Sequence, residues 1–91
     1  MLCRWTPAAA ADLDNINAYL RTRHPQYRET TIRRLYQAAL SLKQSPMRGR
    51  TGRMDNTREL FVSPLPYVIV YRVKPEVVEI LRVYHSAQYR R

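Results

Sequence analysis

Apolar residues recur at helical spacing in the first half of the chain and at strand spacing in the second. From Thr6 onward, Ala9, Leu13, Ile16 and Leu20 fall on one helix face. Thr6 followed by Pro7 suits a helix start, because the hydroxyl caps free amides and proline fits the first helical position. Asp12 and Asp14 lie early in this helix, where its dipole favours negative charge. Pro25 interrupts the pattern. A second helix then carries Ile32, Leu35, Ala39 and Leu42 on one face, with Arg33, Arg34, Gln37 and Lys43 elsewhere, and "QSP" ends it at Pro46.

Ahead of the helices, "LCRW" (residues 2–5) is short and apolar enough for a strand. After residue 56 the period changes. "TRELFVS" (57–63), "YVIVYRV" (67–73) and "VVEILRVY" (77–84) are rich in Val, Ile, Tyr and Leu and are separated by "PLP" and "KPE". Such short connections join antiparallel neighbours. The expected order is β-α-α-β-β-β, an α+β fold with a small antiparallel-type sheet and a two-helix hairpin on one face. Residues 1–91 make one domain, since a chain this short buries only about 60–65% of its unfolded surface and cannot supply two cores.

Both faces of the later strands are apolar. Tyr67, Ile69, Tyr71 and Val73 alternate with Val68 and Val70, and Val77, Leu81 and Val83 with Val78, Ile80 and Tyr84. Two helices cover only one face. The other either exposes a few Val and Tyr side chains or receives a partner segment.

Charge narrows the partners. Sixteen Lys and Arg against seven Asp and Glu leave +9, and only Lys43 and Lys74 are lysines. Arginine presents a flat fork of donors to phosphate or carboxylate. Nucleic acid, an acidic protein or an anionic membrane surface is the natural counterpart. No run approaches the roughly 18 apolar residues of a membrane span, and no apolar leader follows Met1, so a cytoplasmic protein is expected. One cysteine, Cys3, and two histidines give neither an internal disulfide nor a zinc set, and no metal or other cofactor is expected.

"WTPAAAADLDNI", a long second helix ending in "SP", "RGRTGR", "TREL", "PYVIVYRV" and "VEILRVYH" occur in that order from Trp5 to His85. Together they resemble the RelE/ParE superfamily of bacterial toxins. The resemblance implies the toxin of a type II toxin–antitoxin pair, held in a hetero-oligomer with an acidic antitoxin that also covers the second sheet face. One branch of the superfamily cleaves messenger RNA in the ribosomal A site. The other poisons DNA gyrase.

RNA cleavage without metal needs a base for the 2′-hydroxyl, positive charge on the phosphate and an acid for the leaving oxygen. For that chemistry the candidates are Arg58, Glu59, Arg72, His85 and Tyr89. His85 is a possible acid or base, Glu59 is a possible base beside Arg58, the arginines hold phosphate and Tyr89 donates a proton. Arg48, Arg50, Arg53, Arg58 and Arg82 are candidate nucleic-acid or target contacts. Against the nuclease branch, Val68 follows Tyr67 where that branch has an arginine. Glu59 and Phe61 stand at its basic positions, and Ser86 at a further arginine position. These departures favour gyrase inhibition, with ribosome-dependent cleavage second and a non-toxic basic nucleic-acid-binding module third. Within "MRGRTGRMDNTREL", residues 47–56 are expected to be a mobile loop, and Arg58 the arginine a strand holds at the sheet surface.

Overall fold

The computed structural model describes residues 1–89. Its elements are β1 (Leu2–Trp5), α1 (Pro7–Arg23), α2 (Pro25–Ser41), β2 (Arg50–Thr51), β3 (Arg58–Phe61), β4 (Tyr67–Val73) and β5 (Val77–His85). Thr6 caps α1 as expected, its hydroxyl accepting from the Ala9 amide at 3.2 Å while donating to the Ile80 carbonyl at 2.9 Å. One residue therefore starts the helix and ties it to β5.

The sheet order is β1-β5-β4-β3-β2. Pairing is antiparallel from β2 through β5, but β1 lies parallel to β5, with Leu2 opposite Val77 and Trp5 opposite Ile80. The sheet is therefore mixed. The helical hairpin carries the chain away from β1 so that β5, about seventy positions later, becomes its neighbour. Leu13, Leu35, Ala39, Leu42, Ile69, Tyr71, Val78 and Ile80 form the core between the helices and one sheet face.

On β5 the simple alternation fails. Tyr71 pairs with Ile80 and Val70 with Arg82, so Leu81 is an extra residue without a partner across the ladder. Val83 thereby joins Val78 and Ile80 in the core instead of opposing them.

Residues 47–56, expected as a mobile loop, include the short strand β2 and are tied back to the sheet. Tyr71 reaches across from β4, its hydroxyl accepting from the Gly49 amide at 2.8 Å and donating to the Pro46 carbonyl at 2.7 Å. Arg50 and Thr51 pair with Glu59 and Arg58, and the Gly52 amide donates to the Thr57 carbonyl at 2.8 Å. Gly49 is glycine for room: an added Cβ would lie 2.7 Å from the Tyr71 hydroxyl oxygen and 2.8 Å from the Glu59 carbonyl. Gly49→Ala is expected to cost about 1–3 kcal/mol through overpacking. Thermal melting checks this, and an unchanged Tm would show that the loop shifts freely.

Part of the second sheet face is covered by the chain itself, although Phe61 on it stays exposed. Val68 and Val70 are 0% and 4% exposed, although they point away from the helices. The turn after β5 brings Tyr89 back over this face, where its ring stacks on Tyr84 at 5.1 Å. No antitoxin segment is needed to bury these valines.

Candidate functional site

Strand register sets out the open face as rows of directly opposed residues. Arg50, Glu59, Val70 and Arg82 form one row, and Phe61, Val68 and Tyr84 the next. Glu59 is 1% exposed and is the hub. It accepts a short hydrogen bond from the Tyr89 hydroxyl, one from the Arg53 amide at 3.2 Å and one from Arg50 Nε at 3.3 Å. Burial alone would raise its carboxyl pKa, but these donors and the Arg50 charge outweigh burial and hold it below the ordinary range. The same contact acts on the donor: burial, then the Glu59 acceptor, push the Tyr89 hydroxyl up to about 12.

Guanidinium groups complete the cover. Arg53 lies over the Tyr89 ring at 4.1 Å and Arg50 over Phe61 at 4.5 Å. Arg82 lies over Tyr84 at 4.9 Å, but its hydrogen bonds go to Asp12 of α1, at 2.7 and 3.0 Å. Asp12 also accepts from the Val83 amide at 2.9 Å, so this carboxylate fastens α1 to β5 where the bulge has disturbed the ladder.

The remaining sequence candidates scatter. Arg58 stands opposite Tyr71, on the helix side of the sheet, and donates to the Gly49 carbonyl at 2.7 Å. Strand alternation puts its neighbour Glu59 on the other face, so the two are not side by side. His85 stands opposite Tyr67, also on the helix side. Its Nδ1 accepts from the Ala87 amide at 3.1 Å, and Tyr67 meets its ring edge-on at 5.5 Å. With Ile16, Tyr19 and Tyr84 it lines a cleft of about 510 Å³ between α1 and the end of β5. Arg48 is tied to Ser41 Oγ at 2.7 Å. Arg72 stands opposite Glu79, which instead pairs with Arg4 and, at 3.3 Å, with Lys74.

Thus Glu59, Tyr89, Arg50 and Arg53 come together, while His85 and Arg58 lie across the sheet from them. Sequence reading missed the Asp12 clamp and the Tyr71 bridge. The first had no local signal, and the second was hidden in a tyrosine that reads equally well as core. What the cluster does chemically is neutralise one buried carboxylate with three donors from three segments. Glu59 and Tyr89 are engaged with each other, whereas His85 lines its separate cleft together with Asp12, Tyr19 and Arg82.

The chain matches, over residues 3–89, the family described as the ParE toxin of type II toxin–antitoxin system, parDE. Toxin RelE2 of Caulobacter vibrioides is 42% identical over 84 residues, which cover 92% of this chain and 93% of that protein. Toxin RelE3 of the same bacterium is 36% identical over 86 residues, covering 92% of each. The chromosomal ParDE toxin–antitoxin system of P. aeruginosa contains a similar chain, at a TM-score of 0.82 and 28% identity, with 93% of this chain and 95% of that one covered. No helix among the described residues is long and apolar enough to cross a membrane. A match along almost the whole length, in sequence and in fold, places the chain in the ParE/RelE family as the toxin of a type II toxin–antitoxin system.

Proposed function

We propose that this toxin arrests growth by binding and stalling DNA gyrase, and that it does so without cleaving RNA. The observation that supports this reading is the separation of its titratable groups. Metal-free RNA cleavage needs a base and an acid on either side of one phosphate. Here Glu59 and Tyr89 spend their capacity on each other, and His85 lies on the opposite face. Val68, at the position where the nuclease branch carries an arginine, is fully buried. A binding toxin needs only a firm surface, which this tied-down fold supplies.

The neutralising partner is an acidic antitoxin. The chain covers part of its own second sheet face, so the case for that partner rests chiefly on the +9 charge. Association steered by such a charge is fast and falls steeply with salt. Purified toxin should inhibit gyrase supercoiling at concentrations that leave messenger RNA intact on translating ribosomes. Codon-dependent RNA cleavage with supercoiling untouched would reverse the assignment.

A further inference from the structure

The helical hairpin ends in a tip that neither the core nor the Glu59 cluster uses. α1 stops at Arg23 and α2 begins at Pro25, so His24 alone turns the chain. Its amide donates to the Leu20 carbonyl at 2.8 Å and its carbonyl accepts from the Tyr27 amide at 3.0 Å. Pro25 fixes the next φ. The tip is therefore rigid, and holding a partner there costs little ordering.

Three rings stand on this turn. Tyr19, His24 and Tyr27 form a row with centroids 6.3 Å apart at each step, and the two tyrosines are 54% and 59% exposed. Arg21, Arg23 and Arg28 lie close to them in the chain, while no carboxylate occurs between Asp14 and Glu29. Arg28 hydrogen-bonds Asn17 at 3.3 Å, and neither Arg21 nor Arg23 pairs with a described carboxylate. The helix dipole accounts for two arginines in the last turn of α1. It does not account for two large rings left in water beside them. Tyrosine and arginine on a rigid, prominent surface are the residue types that dominate binding hot spots.

We propose that this tip is the surface by which the toxin engages its protein target, and that the target offers an acidic patch with an apolar seat for the Tyr27 ring. The charge asymmetry supports the acidic partner. The rings favour protein over duplex nucleic acid, whose bases are already stacked and whose phosphates give a tyrosine face nothing to pack on. The proposal rests on the reading of this toxin as a binder rather than a nuclease.

The test compares wild type with Tyr27→Ala, Tyr27→Phe and the double change Arg21→Glu with Arg23→Glu. All lie at exposed positions, and melting checks that each is folded; Arg21→Gln with Arg23→Gln replaces the reversal if its Tm falls. Growth arrest on induction and half-inhibition of gyrase supercoiling are both read. Tyr27→Ala should raise the half-inhibiting concentration by about 30-fold. The arginine reversal should abolish growth arrest, and Tyr27→Phe should retain most of the effect. Folded Tyr27→Ala and reversal variants that arrest growth like wild type would overturn the proposal. A loss of arrest that tracks lost binding to a DNA duplex would also overturn it, in favour of nucleic acid. If the variants relieve arrest while wild type leaves supercoiling untouched, the tip stands and the gyrase assignment falls.

Discussion

Glu59→Ala is expected to lower stability by about 3 kcal/mol, since hydrogen bonds to a charged group contribute about 1.5–3 kcal/mol each and the Arg50 contact is discounted for its exposure. For a domain of this size that is a fall in Tm of about 12–24 °C. The loss should be larger than for other polar changes because one carboxylate holds three segments. Tyr89 returns from beyond β5, Arg53 comes from the loop, and Arg50 comes from β2. Without the carboxylate the Tyr89 hydroxyl and the Arg53 amide lose their acceptor, and the cover over Val68 and Val70 loosens. Glu59→Gln preserves the shape but offers one acceptor oxygen, so it should cost about 1–2 kcal/mol.

The acid dependence carries a definite sign. Folding holds the Glu59 carboxyl below its ordinary 4.5, so its contribution is complete above that value and is lost as pH falls through the folded one. The Tyr89 hydroxyl works in the opposite sense: its share is complete below 10 and is lost as pH rises toward about 12. Denaturation of wild type and Glu59→Gln at neutral and acid pH measures this. The gap between them should shrink in acid, and a gap independent of pH would mean that the carboxylate charge contributes nothing. Growth arrest should survive Glu59→Gln, whereas a base in RNA cleavage would lose its activity with the same change.

Much of the fold was legible in the sequence because it follows from local chemistry. The heptad-like recurrence of Leu13, Ile16 and Leu20, the Thr6–Pro7 start and the Pro25 break are each readable within a turn or two of helix, and each lies where expected. What was not legible depends on residues far apart in the chain. Pairing of β1 with β5 is set by how the whole hairpin packs. The bulge at Leu81 looks like any other position in a run of β-formers, yet it changes which face Val83 serves. Tyr89 sits among polar residues after a strand, so nothing in its surroundings announces that it packs back onto Glu59. The separation of Arg58 from Glu59 is different. Strand alternation alone puts adjacent residues on opposite faces, so that part of the site was readable, and treating the pair as neighbours overlooked it.

Tyr71→Ala should be the most damaging single change in the sheet. Truncating a buried aromatic costs about 3–5 kcal/mol, and a domain of this length has roughly 5–14 kcal/mol in total. Tyr71 is fully buried and stands between Arg58 on β3 and Ile80 on β5, so its ring packs at the centre of the sheet. Its hydroxyl then extends beyond the core to hold Pro46 and Gly49, which fixes where α2 ends and where the arginine segment begins. Tyr71→Phe separates the two roles. It keeps the ring and should cost about 1–3 kcal/mol, because a buried amide and a carbonyl lose their partner. Hydrogen exchange at the Gly49 amide should accelerate in Tyr71→Phe while the Ile69 and Ile80 amides stay protected. Uniform acceleration across the sheet would mean that the hydroxyl supports the core as a whole rather than the loop. Local acceleration would locate the origin of the loop's rigidity in one phenol, since Arg48, Gly49 and Arg50 follow directly from the point that phenol holds.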